Sequence, residues 1–188
     1  MADKCFWQKH LSAMDGKARL QALGMDGFHH RQSYILTHEV KVEGRDVPMK
    51  QVKGCPESFD FDRLHEHLVR LRQEDTLLWP WYDRRHHDVI DDQIEVSAPL
   101  VLVEGNYLLL DEEPWRSLKP LCDVSMFLYA EETQLYARLI ERKVRGGMMP
   151  HEAAAFAKGS DMRNVRRILD RRLHADVELI LHEEGISW

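Results

Sequence analysis

Pro99-Leu100-Val101-Leu102-Val103 is apolar at every position and runs straight into Glu104-Gly105. A half-solvated antiparallel strand would alternate, whereas an unbroken apolar run fits a parallel strand covered on both faces. Such a strand needs helices on either side of its sheet, and the rest of the chain supplies candidates. Leu20–Met25, Cys122–Tyr129 and Val177–Leu181 are expected as further strands. Phe61, Leu64, Leu68 and Leu71 recur at helical spacing. Leu135–Val144 and about Ser160–Leu173 are expected helices, as is Ala2–Met14 with Phe6, Trp7, Leu11 and Met14 on one side. A polar loop region is expected from Asp26-Gly27 to about Ser58. The alternation predicts an α/β fold with a mainly parallel sheet, and 188 residues suffice for one domain over the whole chain.

Composition narrows the function classes. The chain is 44% hydrophobic and 31% charged, ordinary for a soluble globular protein. Its longest apolar run is far too short to span a bilayer, and Met1-Ala2-Asp3-Lys4 has no apolar signal core. Cys5, Cys55 and Cys122 fit no metal or disulfide spacing, so the expected compartment is the reducing cytoplasm. Net charge is −6, yet Arg138 to Arg172 holds ten Lys/Arg against four Asp/Glu. That basic segment suits a solvated helix face or a phosphate clamp, while the acidic remainder argues against a nucleic-acid polymer as partner.

Ligands of open α/β sheets bind beyond the carboxyl ends of the strands. Asp26 and Glu104 occupy two such ends, where paired carboxylates can position Mg²⁺ and accept a proton from an attacking hydroxyl. Asp26-Gly27 alone also suits a simple turn. Trp79-Pro80-Trp81-Tyr82-Asp83-Arg84-Arg85-His86-His87 is expected to form a stiff loop, with Tyr82, Asp83 and His87 offering hydrogen bonds to a small polar ligand. Its alternative is a loop whose tryptophans pack on the core. Arg138, Arg142, Lys143 and Arg145 precede Gly146-Gly147, which fits either a capped helix end or a mobile lid closing over phosphates. Ser160-Asp161-Met162-Arg163-Asn164 could cap the following helix. The paired histidines do not form a zinc chelate, and no G-x-S-x-G elbow marks a hydrolase.

Four motifs occur in order: Met25-Asp26-Gly27-Phe28-His29, Gly54-Cys55-Pro56-Glu57-Ser58-Phe59-Asp60, Trp79-Pro80-Trp81-Tyr82-Asp83 with His87, and Val101-Leu102-Val103-Glu104-Gly105-Asn106-Tyr107. Together they resemble the uridine kinase, pantothenate kinase and phosphoribulokinase-like branch of P-loop kinases. The resemblance runs from Gly24 onward and looks strongest to a bacterial subgroup of pantothenate-kinase-related and fructose-transport kinases. It implies a three-layer P-loop kinase-like fold, Asp26 as general base, and Glu104 in the Walker-B-like position, acting on Mg²⁺ directly or through water. It further implies acceptor contacts from His29, Tyr82, Asp83 and His87. Arg138, Arg142 and Arg145 match the nucleotide-phosphate lid, a segment of about 142–160. Mg²⁺ and ATP are the implied cofactors, and a nucleoside, sugar or pantothenate-like compound the implied acceptor, with no membrane partner. Lys143 departs from the aspartate that uridine kinases commonly carry there. Asp161 and Asn164 match the subgroup's C-terminal helix.

The phosphate-binding pattern G-x-x-x-x-G-K-S/T is absent from the 188 residues; Asp15-Gly16-Lys17-Ala18 lacks the first glycine and the hydroxyl. In this family the strand before that loop lies between the Glu104 strand and the Cys122–Tyr129 strand. Its absence would leave edges costing about 1–3 kcal/mol for each unsatisfied group. The expectation is therefore a misassigned start or a shortened gene copy, with little phosphotransferase activity. The alternative is a catalytically silent small-molecule-binding or interaction module, and a homodimer would cover the edges.

Overall fold

The computed structural model describes residues 20–42, 44–182 and 185–187, and the expected helix over 2–14 lies outside them. The chain packs as two compact units, one ending at Leu108 and the other beginning at Leu109.

In the first unit, β1 (Leu20–Gly24) pairs in parallel with β6 (Leu100–Glu104), from Leu20 opposite Leu100 to Gly24 opposite Glu104. The expected cover on both faces of β6 is incomplete within this unit, since Leu100 is 55% exposed. Helix α2 (Phe61–Leu71) matches its periodicity and is capped by Asp60, whose carboxylate accepts the Arg63 N–H at 3.1 Å. Leu64 faces the core with Leu23, Met25, Phe28 and Trp79, all at most 1% exposed. Phe28 meets Trp79 edge-on, with ring centroids 4.8 Å apart.

Two sequence expectations are corrected here. The segment from 26 to 58 is not a polar loop. It forms a 3₁₀ turn (Met25–Phe28), helix α1 (Gln32–Thr37) and a hairpin of β2 (Glu39–Val42) with β3 (Arg45–Pro48). Ile35, Val40, Met49, Val52 and Cys55 bury a small core of their own beneath it. Likewise Trp79–His87 is not a loop: β4 (Leu77–Asp83) pairs antiparallel with β5 (Asp88–Val96), and only 84–87 form the turn. The register shifts between Trp79 and Trp81, at Pro80, which has no N–H for the ladder. Asp92 on the facing strand has φ +52°, and this bulge breaks the alternation that would have marked β5.

In the second unit, β7 (Met126–Tyr129) is parallel to β8 (Val177–Leu181), which is antiparallel to β9 (Ile186–Ser187). The β7 strand is shorter than the expected 122–129, because Ser125 is held instead by Asp176. The Ser125 N–H and hydroxyl both donate to that carboxylate, at 2.8 and 2.5 Å. Helix α3 (Glu132–Arg145) ends where Gly147 takes φ +97° and Met148 N–H donates to the Lys143 carbonyl. Helix α4 (Pro150–Phe156) continues through a π turn (Ala157–Asp161) into α5 (Met162–Asp170). No described helix is long and apolar enough to cross a membrane.

Candidate functional site

The parallel register of β1 and β6 sets Gly24 opposite Glu104 and so brings two carboxylates to one end of the strand pair. Asp26 sits in the 3₁₀ turn that follows β1, and Glu104 is the last residue of β6. Three glycines make this end tight. A Cβ on Gly24 would lie 2.8 Å from Glu104 Oε1, so the carboxylate rests over that glycine. A Cβ on Gly27 would meet the Pro80 carbonyl oxygen at 2.4 Å, and one on Gly105 would meet Met25 Sδ at 2.1 Å. None of the three has a left-handed φ. The glycine after Asp26 is therefore required by close packing rather than by turn conformation. The Trp79 indole N–H, donating to the Gly24 carbonyl at 3.0 Å, ties β4 to the end of β1.

Around Asp26 the structure gathers His29, Tyr82 and Arg84, with Lys53 on the Tyr82 ring. The Arg84 guanidinium donates to Asp26 Oδ2 at 3.1 Å. His29 Nδ1 lies 2.8 Å from the Asp26 backbone carbonyl. A carbonyl only accepts, so Nδ1 carries the hydrogen and Nε2 is left as an acceptor in the neutral ring. Burial pushes the His29 pKa down, against the opposing pull of the Asp26 charge. The His29 ring lies 3.9 Å from Phe59 and 5.1 Å from Tyr82 between centroids. Burial, and then the Asp26 charge, push the Tyr82 phenol up to about 12, so it stays protonated.

Lys53 Nζ donates to Gln32 Oε1 at 2.6 Å and to the His87 carbonyl at 3.0 Å, and stands 5.2 Å from the Tyr82 ring centroid. Burial lowers its pKa and Asp88 opposes this. The Asp88 carboxylate accepts the N–H groups of Gln32 and Val89, each at 2.9 Å.

The two other expected acceptor contacts are placed differently. Asp83 accepts from the Arg85 N–H at 2.8 Å and from His86 Nδ1 at 2.6 Å, and so holds the hairpin turn. His87, at φ +54°, offers its carbonyl to Lys53 while its side chain is exposed. Lys53 and Arg84 escaped the sequence reading. They are 27 and 58 positions from Asp26, with no spacing to tie them to it.

In the second unit Arg138, Arg142 and Arg145 are exposed on α3. Arg145 pairs with Glu141 at 2.5 Å. Lys143 instead turns inward to Asp161 at 2.9 Å, their side chains 15% and 14% exposed, with its ammonium 4.0 Å from the Phe156 ring centroid. Asp161 thus does not cap α5, as the sequence suggested, but joins the π turn to α3.

No cluster of three or more potential metal ligands occurs among the described residues. One or two carboxylates at a strand end are a poor cage for zinc. They fit Mg²⁺, which keeps waters and completes its shell with substrate phosphates.

Residues 17–149 match the family model for the phosphoribulokinase / uridine kinase family. An uncharacterised protein of Escherichia coli (strain K12), YggC, is 40% identical over 181 residues, covering 96% of this chain and 72% of its own. An ATP-dependent kinase-like protein of Aspergillus versicolor, notR′, is 31% identical over 130 residues, covering 64% of this chain and 76% of its own. Among solved structures, a Silicibacter sp. TM1040 protein provisionally assigned as a fructose transport system kinase superposes with a TM-score of 0.78 at 32% identity. That match covers 90% of this chain and 78% of the other. A strand-end carboxylate pair on a P-loop kinase fold, matched over most of the chain, places the protein in the phosphoribulokinase / uridine kinase family.

Proposed function

We propose that this chain carries the acceptor-binding and proton-accepting part of a small-molecule kinase that moves a phosphoryl group from ATP to an acceptor hydroxyl. The observation that supports it most is the Asp26–Glu104 strand end, with Glu104 laid over Gly24 and Asp26 beside His29 and Tyr82. Asp26 takes the proton of the attacking hydroxyl. His29 Nε2 and the Tyr82 hydroxyl, one an acceptor and one a donor, orient the acceptor. Glu104 holds Mg²⁺ directly or through water, and the ion neutralises charge on the transferred group when bound. Arg138, Arg142 and Arg145 serve as the cationic lid.

The acceptor is a nucleoside, sugar or pantothenate-like compound. The 188 residues contain no G-x-x-x-x-G-K-S/T, the element that contributes most phosphate positioning in such enzymes. A second reading for the polypeptide by itself is that it binds acceptor without transfer.

Titration calorimetry with hydroxyl compounds, beside an ADP-release assay with Mg²⁺ and ATP, separates the two. The expected outcome is acceptor binding, weakened in His29→Ala, with transfer near background. Robust turnover that falls about 10²–10⁴-fold in Asp26→Asn would overturn the silent reading and establish the base. Failure of every acceptor to bind would sink both.

A further inference from the structure

Lys53 lies outside the family motifs, stands over the Tyr82 ring, and has surroundings unusual for a lysine. The ammonium is half-buried and meets two neutral oxygens, Gln32 Oε1 and the His87 carbonyl. Among the described residues no carboxylate pairs with it. Asp88 is near enough to act on its charge but makes no ion pair with it, its Oδ1 accepting the Gln32 and Val89 N–H groups. An ammonium has three N–H donors, and two are used. Withdrawing a cation from water without an anion is unfavourable unless something neutralises it.

The position of this charge is equally specific. The Tyr82 ring has Lys53 Nζ at 5.2 Å and the His29 ring at 5.1 Å, so ammonium and imidazole are at most about 10 Å apart. A small hydroxy compound held by His29 at its hydroxyl end fits within that span with its other end at Lys53. Gln32 and His87, which come from α1 and from the hairpin turn, hold the ammonium in place. Resting on the acceptor reading above, we infer that Lys53 binds an acidic group on the acceptor, carboxylate or phosphate, and so selects an anionic hydroxyl compound over a neutral one.

Matched pairs test this by titration calorimetry on the 188-residue chain: pantothenate against pantothenol, D-glycerate against glycerol, fructose 6-phosphate against fructose. At least one acidic member is expected to bind about 10-fold or more tightly than its neutral match, with the preference shrinking as salt rises. The first two pairs report a carboxylate and the third a phosphate. Lys53→Met should abolish the preference by bringing the acidic member's affinity down to about that of its neutral match, and Lys53→Arg should keep most of it. No preference in the parent protein, or an unchanged preference in Lys53→Met, overturns the inference and leaves Lys53 as a bridge between α1 and the hairpin. The parent comparison decides the matter even if Lys53→Met does not fold. Acidic and neutral members binding equally well, in a His29-dependent way, would defeat this inference alone. Absence of binding by every member would defeat the acceptor reading with it.

Discussion

Gly27→Ala is the sharpest test of how the Asp26 turn is held. The new Cβ would stand 2.4 Å from the Pro80 carbonyl oxygen, 2.6 Å from its carbon and 3.1 Å from the Trp81 nitrogen. All three are backbone atoms of β4, anchored by the buried side chains of Trp79 and Pro80, so no rotamer change relieves the overlap. The turn and the strand must part by roughly 1 Å to reach ordinary contact. Overpacking costs about 1–3 kcal/mol, and a clash with backbone belongs at the upper end. A loss of about 3 kcal/mol lowers the melting temperature of a chain this long by about 6–12 °C. Gly24→Ala is the matched control. Its Cβ would meet only Glu104 Oε1, the far end of a flexible side chain, at 2.8 Å. Its backbone, at φ −98° and ψ 142°, suits alanine. Thermal and urea denaturation followed by circular dichroism should therefore show a large loss for Gly27→Ala and a shift within about 2 °C for Gly24→Ala. If Gly27→Ala stays within about 0.5 kcal/mol of the parent, or Gly24→Ala costs as much, the packing argument is refuted.

Two further outcomes follow from the same contacts. Burial lowers the pKa of His29, His30 and His67, so below about pH 6.5 the unfolded chain binds more protons than the folded one. Stability is thus complete above that pH and falls as acid is added, by up to about 1.4 kcal/mol per pH unit for each histidine; urea denaturation from pH 7.5 to 5.5 reads it, and His67→Gln should flatten the slope. A flat profile would contradict it. Lys143→Met should cost about 2–4 kcal/mol, because it strands the largely buried Asp161, and Lys143→Met with Asp161→Leu should recover part of the loss. Purely additive effects in that double-mutant cycle would show that the pair is not coupled.

How much of this was legible in the sequence depended on whether the signal was local. The strand ending at Glu104 announced itself by an unbroken apolar run, that beginning at Leu20 by a short, mostly apolar stretch, and α2 by Leu64, Leu68 and Leu71. The β4–β5 hairpin was hidden because Pro80 and the bulge at Asp92 destroy the period of two on which strand reading rests. The hairpin and helix inside 32–48 were hidden because each is four to six residues long, too short for periodicity to register. Asp26, Glu104, His29 and Tyr82 were nameable from motifs. Lys53 and Arg84 were not, since their roles come from contacts to residues 34 and 58 positions away. Asp161 looked like a cap because sequence shows only its own helix, whereas its partner Lys143 lies on another.

The acid–glycine dipeptides carry the wider lesson. Asp26-Gly27 and Glu104-Gly105 look like two independent turns, yet each glycine is where a neighbouring element closes in: Pro80 on Gly27 and Met25 on Gly105, with Glu104 itself lying over Gly24. The Asp26 turn and the end of β6 are thus located by contacts that cannot loosen without unpacking Trp79, Phe28 and Met25. The groups proposed to face an acceptor are held differently. Lys53 depends on a glutamine side chain and a turn carbonyl, and Tyr82 on ring contacts. Substitutions in α1 or in the 84–87 turn can therefore change which compound is bound while Asp26 and Glu104 keep their places. On the acceptor reading proposed above, a fixed strand end beside an adjustable recognition wall would let one kinase framework serve acceptors of different charge.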